Sequence, residues 1–356
     1  MSVELQLNKR PRMEWLDAMR GFTMILVVAY HVSIFSFGQN IKHSTALSFF
    51  VLFRMPLFFF VSGFLAYSSK VEWNLKTLGS NLLKKCRVQL IPTLVFLCAF
   101  LALMRPNFVK AFEATLRLPT KSGYWFTWAL LLMFIVYYVF AYLESKLPKK
   151  TIIPIILLWG GATIVYATLY MPSWFTYHKD PFYQYTSLIQ VMTYFHFFLF
   201  GTIVRRKWDM IERLFDSKWF YTIVVIIAFL CAVDYLKWHT LRLQWANLPR
   251  TIAMYSLILI VVMFFRHYNA WFTQKTIVGR ALQYIGTRTL DIYLLHFIFL
   301  PNAKTIGSFF TEYRRNFVLD TTLSVVAGLL VIGFCLLASN ILRVSPIFRK
   351  YLFGRP

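Results

Sequence analysis

Residues 16–37 read Leu16-Asp17-Ala18-Met19-Arg20-Gly21-Phe22-Thr23-Met24-Ile25-Leu26-Val27-Val28-Ala29-Tyr30-His31-Val32-Ser33-Ile34-Phe35-Ser36-Phe37. A helix needs about 20 largely apolar residues to cross the hydrocarbon layer of a bilayer. This stretch has that length, yet it carries Asp17, Arg20 and His31. The apolar run from about 18 to 38 reads as a transmembrane helix, and the ionisable residues inside it read as the first functional signal.

Nine further runs of the same kind follow, at approximately 46–68, 88–104, 124–143, 152–170, 187–204, 219–236, 251–267, 282–301 and 319–342. Composition agrees. Of 356 residues, 58% are hydrophobic and 15% charged, and the mean hydropathy is +0.58. A soluble chain holds about 25% charged residues, so a water-soluble fold would lack polar material to cover its core. Lipid tails remove that requirement. The expected fold is all-α, a polytopic bundle of about ten transmembrane helices forming one membrane domain over residues 1–356. The polar segment 1–12 leads directly into the first run without a small-residue cleavage site, which marks a retained span and not a removed signal.

The net charge of +24 does not point to nucleic acid, because the basic residues cluster between apolar runs and form no stripe on a soluble fold. With the N-terminus inside, the inner segments hold about twice as many Lys and Arg as the outer ones. The positive-inside rule therefore puts both termini in the cytoplasm. Cys86, Cys98, Cys231 and Cys335 show neither metal-ligand nor redox spacing and read as small apolar residues.

Arg20 and His31 lie eleven residues apart. On one α-helix that spacing returns to within roughly 20° of the same face after a rise of about 16 Å. Asp17 sits one turn below Arg20, placed to fix the guanidinium as an ion pair. Arginine near the membrane surface and histidine deep on the same face suit a long substrate with phosphates at one end, and coenzyme A has that shape. Arg20 would hold phosphate, and His31 would take a proton as general base. The alternative is a structural histidine bonded to a neighbouring helix, with Arg20 as an interfacial anchor. Arg54, some nine residues into the second run, cannot reach the interface so easily, and a buried arginine of this kind usually faces a polar interior. Ser62 and Gly63, after Pro56 in the same run, allow either a kink that opens a cavity or close packing through small residues.

These motifs together resemble acyltransferase family 3, bacterial membrane enzymes that O-acylate glycans. The carriers are Leu16-Asp17-Ala18-Met19-Arg20-Gly21 with ten residues between Arg20 and His31, and Arg54-Met55-Pro56-Leu57-Phe58-Phe59-Phe60-Val61-Ser62-Gly63-Phe64. Weaker carriers are Tyr124-Trp125-Phe126-Thr127-Trp128, Phe197-Phe198-Leu199-Phe200-Gly201 before Arg205-Arg206, and Ile285-Gly286 running on to Tyr293 and His296. The resemblance implies about ten spans, His31 as the catalytic histidine, and Arg20 and Arg54 as functional arginines. It also implies acyl-CoA, commonly acetyl-CoA, as donor and a sugar hydroxyl as acceptor, in a bacterial inner membrane.

The expected site is therefore His31 as base and Arg54 as oxyanion stabiliser. Arg20, Asp17 and Ser62 are placed at the donor, and Trp125, Tyr293 and His296 near the substrate. Tyrosine and histidine in bundles often only bond their neighbours, which is the competing reading for Tyr293 and His296. Asp291 is expected to pair with Arg288 one turn away, with orienting a histidine as the alternative. The aromatic loop 174–185 reads as an interfacial belt, with stacking on sugar rings as the alternative. No metal site is expected. A transporter or flippase of a glycan precursor is the rival function, although such proteins favour repeats and Gly/Pro-broken helices, and glycine is only 14 of 356 residues.

Overall fold

A computed structural model describes residues 13–39, 45–148, 151–168, 181–234, 248–305 and 317–353. In chain order the helices are α1 (Glu14–His31), α2 (Thr45–Ala66), α3 (Leu75–Lys85), α4 (Ile91–Met104), α5 (Phe108–Arg117), α6 (Trp125–Glu144), α7 (Ile153–Thr168) and α8 (Pro181–Thr186). They continue with α9 (Leu188–Arg206), α10 (Trp208–Phe215), α11 (Lys218–Val233), α12 (Leu248–His267), α13 (Ile277–Thr287), α14 (Thr289–Phe299), α15 (Phe317–Leu342) and α16 (Pro346–Tyr351). There is no strand among the described residues. The protein is an all-α, multi-pass membrane protein: among the described residues, seven helical stretches are long and apolar enough to cross a bilayer.

The remaining apolar runs differ from expectation in instructive ways. The third was expected at 88–104 but is one continuous helical stretch over Leu75–Met104. The Asn74 side chain accepts the Thr77 N–H at 2.8 Å and starts it a full three turns earlier. Lys84 and Lys85, which precede the expected start of that run, thus lie on a helix. The ninth run, expected unbroken over 282–301, divides at Arg288, whose φ of −116° and ψ of 21° interrupt the helix between α13 and α14. The seventh is α11, preceded by α10 at an 83° bend. The fifth, α7, comprises 16 residues up to the edge of the described chain at Thr168.

α1 packs against α2, α12, α13, α14 and α15 and so occupies the middle of the bundle. Two crossings are close enough to exclude side chains. Gly21 lies on the Leu282 carbonyl while Gly286 lies on the Asp17 carbonyl; Gly63 and Gly201 meet Phe198 and Phe60 in the same reciprocal way. A Cβ at any of these would overlap facing backbone, so small residues set the spacing of α1 against α13 and of α2 against α9. For Gly63 this is the packing role. Pro56 is accommodated within α2, which continues through it.

Candidate active site

His31 is the last α-helical residue of α1, and the chain continues as a π-helical turn over Val32–Ser36. Such turns inside a span recur at functional positions. His31 Nδ1 stands 2.8 Å from Nε2 of His296 on α14, with the two rings 14° from parallel. The protonation pattern follows from what surrounds His296. Its Nδ1 lies 2.7 Å from the Tyr293 carbonyl oxygen and 3.2 Å from that of Ile292. Carbonyls only accept, so His296 Nδ1 carries a proton and its Nε2, when neutral, is an acceptor. His31 Nδ1 must then be the donor, which leaves the His31 Nε2 lone pair free. The sequence brought out both histidines but not their contact.

His31 opens on a chamber of about 150 Å³, lined also by Tyr30, Arg54, Met55, Trp125 and Tyr293 among others. Arg54 is 8% exposed, and its guanidinium carbon sits 3.3 Å above the Tyr30 ring centroid. Trp125 stacks on Tyr194, with centroids 5.7 Å apart, which stiffens that wall.

Toward the other end of α1 lies a second cavity of about 360 Å³, lined by Arg20, Ser62, Lys84, Lys85, Thr289 and Asp291 among others. Arg20 bonds Asp17 at 3.2 Å and the Thr289 hydroxyl at 3.1 Å, so the expected Asp17 pairing is present. The Ser62 hydroxyl donates to the Phe58 carbonyl at 2.9 Å. Asp291 does not pair with Arg288, contrary to expectation. It accepts from Arg343 at 2.8 and 2.9 Å and from the Ser339 hydroxyl at 2.6 Å, both on or just past α15. The break at Arg288 is the cause: it takes that arginine out of the turn of α14, and Arg288 binds Asn340 instead. The Asp291 charge is thereby offset by Arg343 and that of Arg20 by Asp17, and the cavity keeps the cations Lys84 and Lys85 in excess.

Met24, Phe58, Phe126 and Tyr293 line both cavities and form a collar between them. The Tyr293 hydroxyl is engaged by main chain, donating to the Gly123 carbonyl at 2.9 Å and accepting from the Phe126 N–H at 3.1 Å. At the far end the chamber is backed by Gly123 in a loop where Lys121, Ser122 and Gly123 have φ of 46°, 51° and 101°. A side chain at Gly123 would run into the Phe297 ring. Lys121 turns inward to donate to the carbonyls of Leu116 and Leu118 at 2.6 and 2.9 Å, and burial pushes its ammonium down to about 8.

His31, Arg54, Trp125 and Tyr293 thus line one cavity with His296 bonded to His31, and Arg20 and Ser62 line the other with Asp17 bonded to Arg20. Residues 174–180 of the aromatic loop lie outside the described residues. The acyltransferase domain model of family 3 matches the chain over residues 13–340. The chain belongs to acyltransferase family 3. It is a membrane O-acyltransferase, and the match spans nearly all of its helices. Neither a curated protein nor a solved structure matches it. Within this acyltransferase, the four glycines of the sequence landmarks are those at the two close helix crossings. Lys84, Lys85 and the collar had no motif to announce them; the capping pattern at Asn74 was the available signal for the lysines.

Proposed function

We propose that this acyltransferase moves a short acyl group, acetyl in the simplest case, from acyl-CoA to a hydroxyl of a carbohydrate acceptor such as a cell-surface or lipid-linked glycan. The membrane would be the inner membrane of a bacterium, with Arg20 on its cytoplasmic side. One observation carries the reading: a cavity lined by Arg20, Lys84 and Lys85 and a chamber lined by His31 lie along α1 and share the apolar wall of Met24, Phe58, Phe126 and Tyr293. The donor's phosphates would bind Arg20, Lys84 and Lys85, with Asp17 orienting Arg20 and Ser62 on the wall. The pantetheine arm would thread the collar, and the thioester would meet His31.

In the reaction, His31 Nε2 takes the proton of the acceptor hydroxyl as its oxygen attacks the thioester carbon. Arg54 stabilises the negative charge that develops on the carbonyl oxygen. The carbon–sulfur bond then breaks, and the thiolate leaves with the proton that His31 gained. His296 keeps His31 in the competent tautomer. Trp125 and Tyr293 shape the space for the acyl and acceptor groups.

The test is release of CoA thiol by purified protein in nanodiscs given acetyl-CoA and an extract of surface glycans. His31→Ala should abolish release, and Arg20→Ala should raise KM for the donor with a smaller effect on kcat. Undiminished release by His31→Ala protein would sink the assignment. The transport alternative has the helix break at Arg288 in its favour, but membership of an acyltransferase family and a histidine pair without a part in translocation set it aside.

A further inference from the structure

Arg54 is harder to account for than His31. It lies in the His31 chamber, 8% exposed, and its Nε has no hydrogen-bond partner. Among the described residues it forms no ion pair, and no Asp or Glu lines the chamber. The carboxylates nearest to the route are committed elsewhere, Asp17 to Arg20 and Asp291 to Arg343. The Tyr30 ring beneath the guanidinium offsets part of the burial cost. It cannot replace a counter-ion, because a permanent charge in a low-dielectric cavity remains costly unless paired.

An oxyanion on the reacting carbonyl exists only in passing, whereas the Arg54 charge is buried throughout. We infer that one of the two substrates brings a fixed anionic group, a carboxylate or a phosphate, into the His31 chamber as the resting counter-ion of Arg54. This rests on the acyltransfer reading above and narrows its substrates. The chamber, at about 150 Å³, has room for such a group on a few carbon atoms. There are two sources for it: the far end of the acyl chain, or an acidic group on the acceptor sugar beside the hydroxyl that reacts. Either would place the anion ahead of the collar, where Arg54 is the cation that lines the chamber, and away from Arg20, Lys84 and Lys85 behind it.

The experiment is calorimetric titration of the full chain in nanodiscs with succinate, glucuronate and neutral methyl glucoside. Wild-type protein should bind at least one of the anions ten-fold or more tightly than the glucoside. Arg54→Gln should abolish that preference, and Arg20→Ala should keep it. A preference for succinate assigns the charge to the acyl chain, and a preference for glucuronate assigns it to the acceptor. Equal binding of anion and glucoside by wild-type protein overturns the inference, as does an anion preference that survives Arg54→Gln. A second readout needs no ligand. Removing an uncompensated charge should leave the thermal midpoint of Arg54→Gln equal to or above that of wild type, and a clearly lower midpoint would mean that the chain already neutralises Arg54. None of these measurements involves acyl-CoA turnover, so failure here is separable from failure of the acyltransfer reading.

Discussion

His296 offers the sharpest perturbation, because it touches the chemistry only through His31. In His296→Leu the half-buried His31 Nδ1–H loses the acceptor that now stands 2.8 Å away, at similar side-chain volume. Leaving a buried donor unsatisfied costs about 1–3 kcal/mol. The ring can escape that cost only by moving its proton to Nε2 or by turning, and either removes the base from the acceptor hydroxyl. At about 1.4 kcal/mol per factor of ten, kcat should fall between roughly ten-fold and a hundred-fold. KM for the donor should hardly change, since its phosphates would bind at the other cavity. His296→Gln supplies a carbonyl oxygen in reach of His31 Nδ1, so it should recover most of the loss. The assay is CoA thiol release under saturating acyl-CoA, with donor KM measured in parallel. Wild-type kcat in His296→Leu refutes the tautomer argument. So does a glutamine variant no better than the leucine one, because simple packing damage would not distinguish the two.

Two further expectations concern stability. Asp291→Asn breaks a pair in which the carboxylate is 3% and the arginine 15% exposed at the side chain. The loss should be about 3–5 kcal/mol, and Asp291→Asn combined with Arg343→Met should regain much of it; denaturant unfolding in detergent checks both, and an additive double variant would disprove the coupling. Lys121 gives a pH signature: its folded pKa of about 8 lies below its unfolded value of 10.5. Below pH 8 both states carry the charge and the burial cost is present in full, so this residue's contribution to stability should rise between about pH 8 and 10.5, where the unfolded chain binds more protons. Thermal midpoints of wild type and Lys121→Met across that range test it, and parallel profiles would exclude a role for this titration.

Much of the bundle was legible because bilayer thickness writes itself into the chain as run length. Arg20, His31 and Arg54 stood out for the same reason, as polar groups where lipid tolerates few. What escaped the sequence was mostly relational. The histidine pair joins residues 265 positions apart, and no local period announces that. Asp291 had a plausible partner one turn away in Arg288, but the helix break at Arg288 handed it to Arg343. Lys84 and Lys85 read as ordinary positive-inside loop residues because hydropathy falls before the helix does. There the Asn74 cap, a local hydrogen bond, was a better guide than apolarity. The collar is made of residues that look like any lipid-facing or core side chains until two cavities are seen on either side of them.

The collar also bears on the energised state of the membrane. A protein that leads a long, flexible molecule from one compartment toward the other risks conducting protons and salt along the same route. Met24, Phe58, Phe126 and the Tyr293 ring present little that would replace an ion's hydration shell, and narrow apolar constrictions resist wetting. The Tyr293 hydroxyl, which might otherwise carry a water wire, is spent on the Gly123 carbonyl and the Phe126 amide. If the proposed thioester arm passes between the two cavities, these shared residues would surround it with apolar surface that disfavours ions.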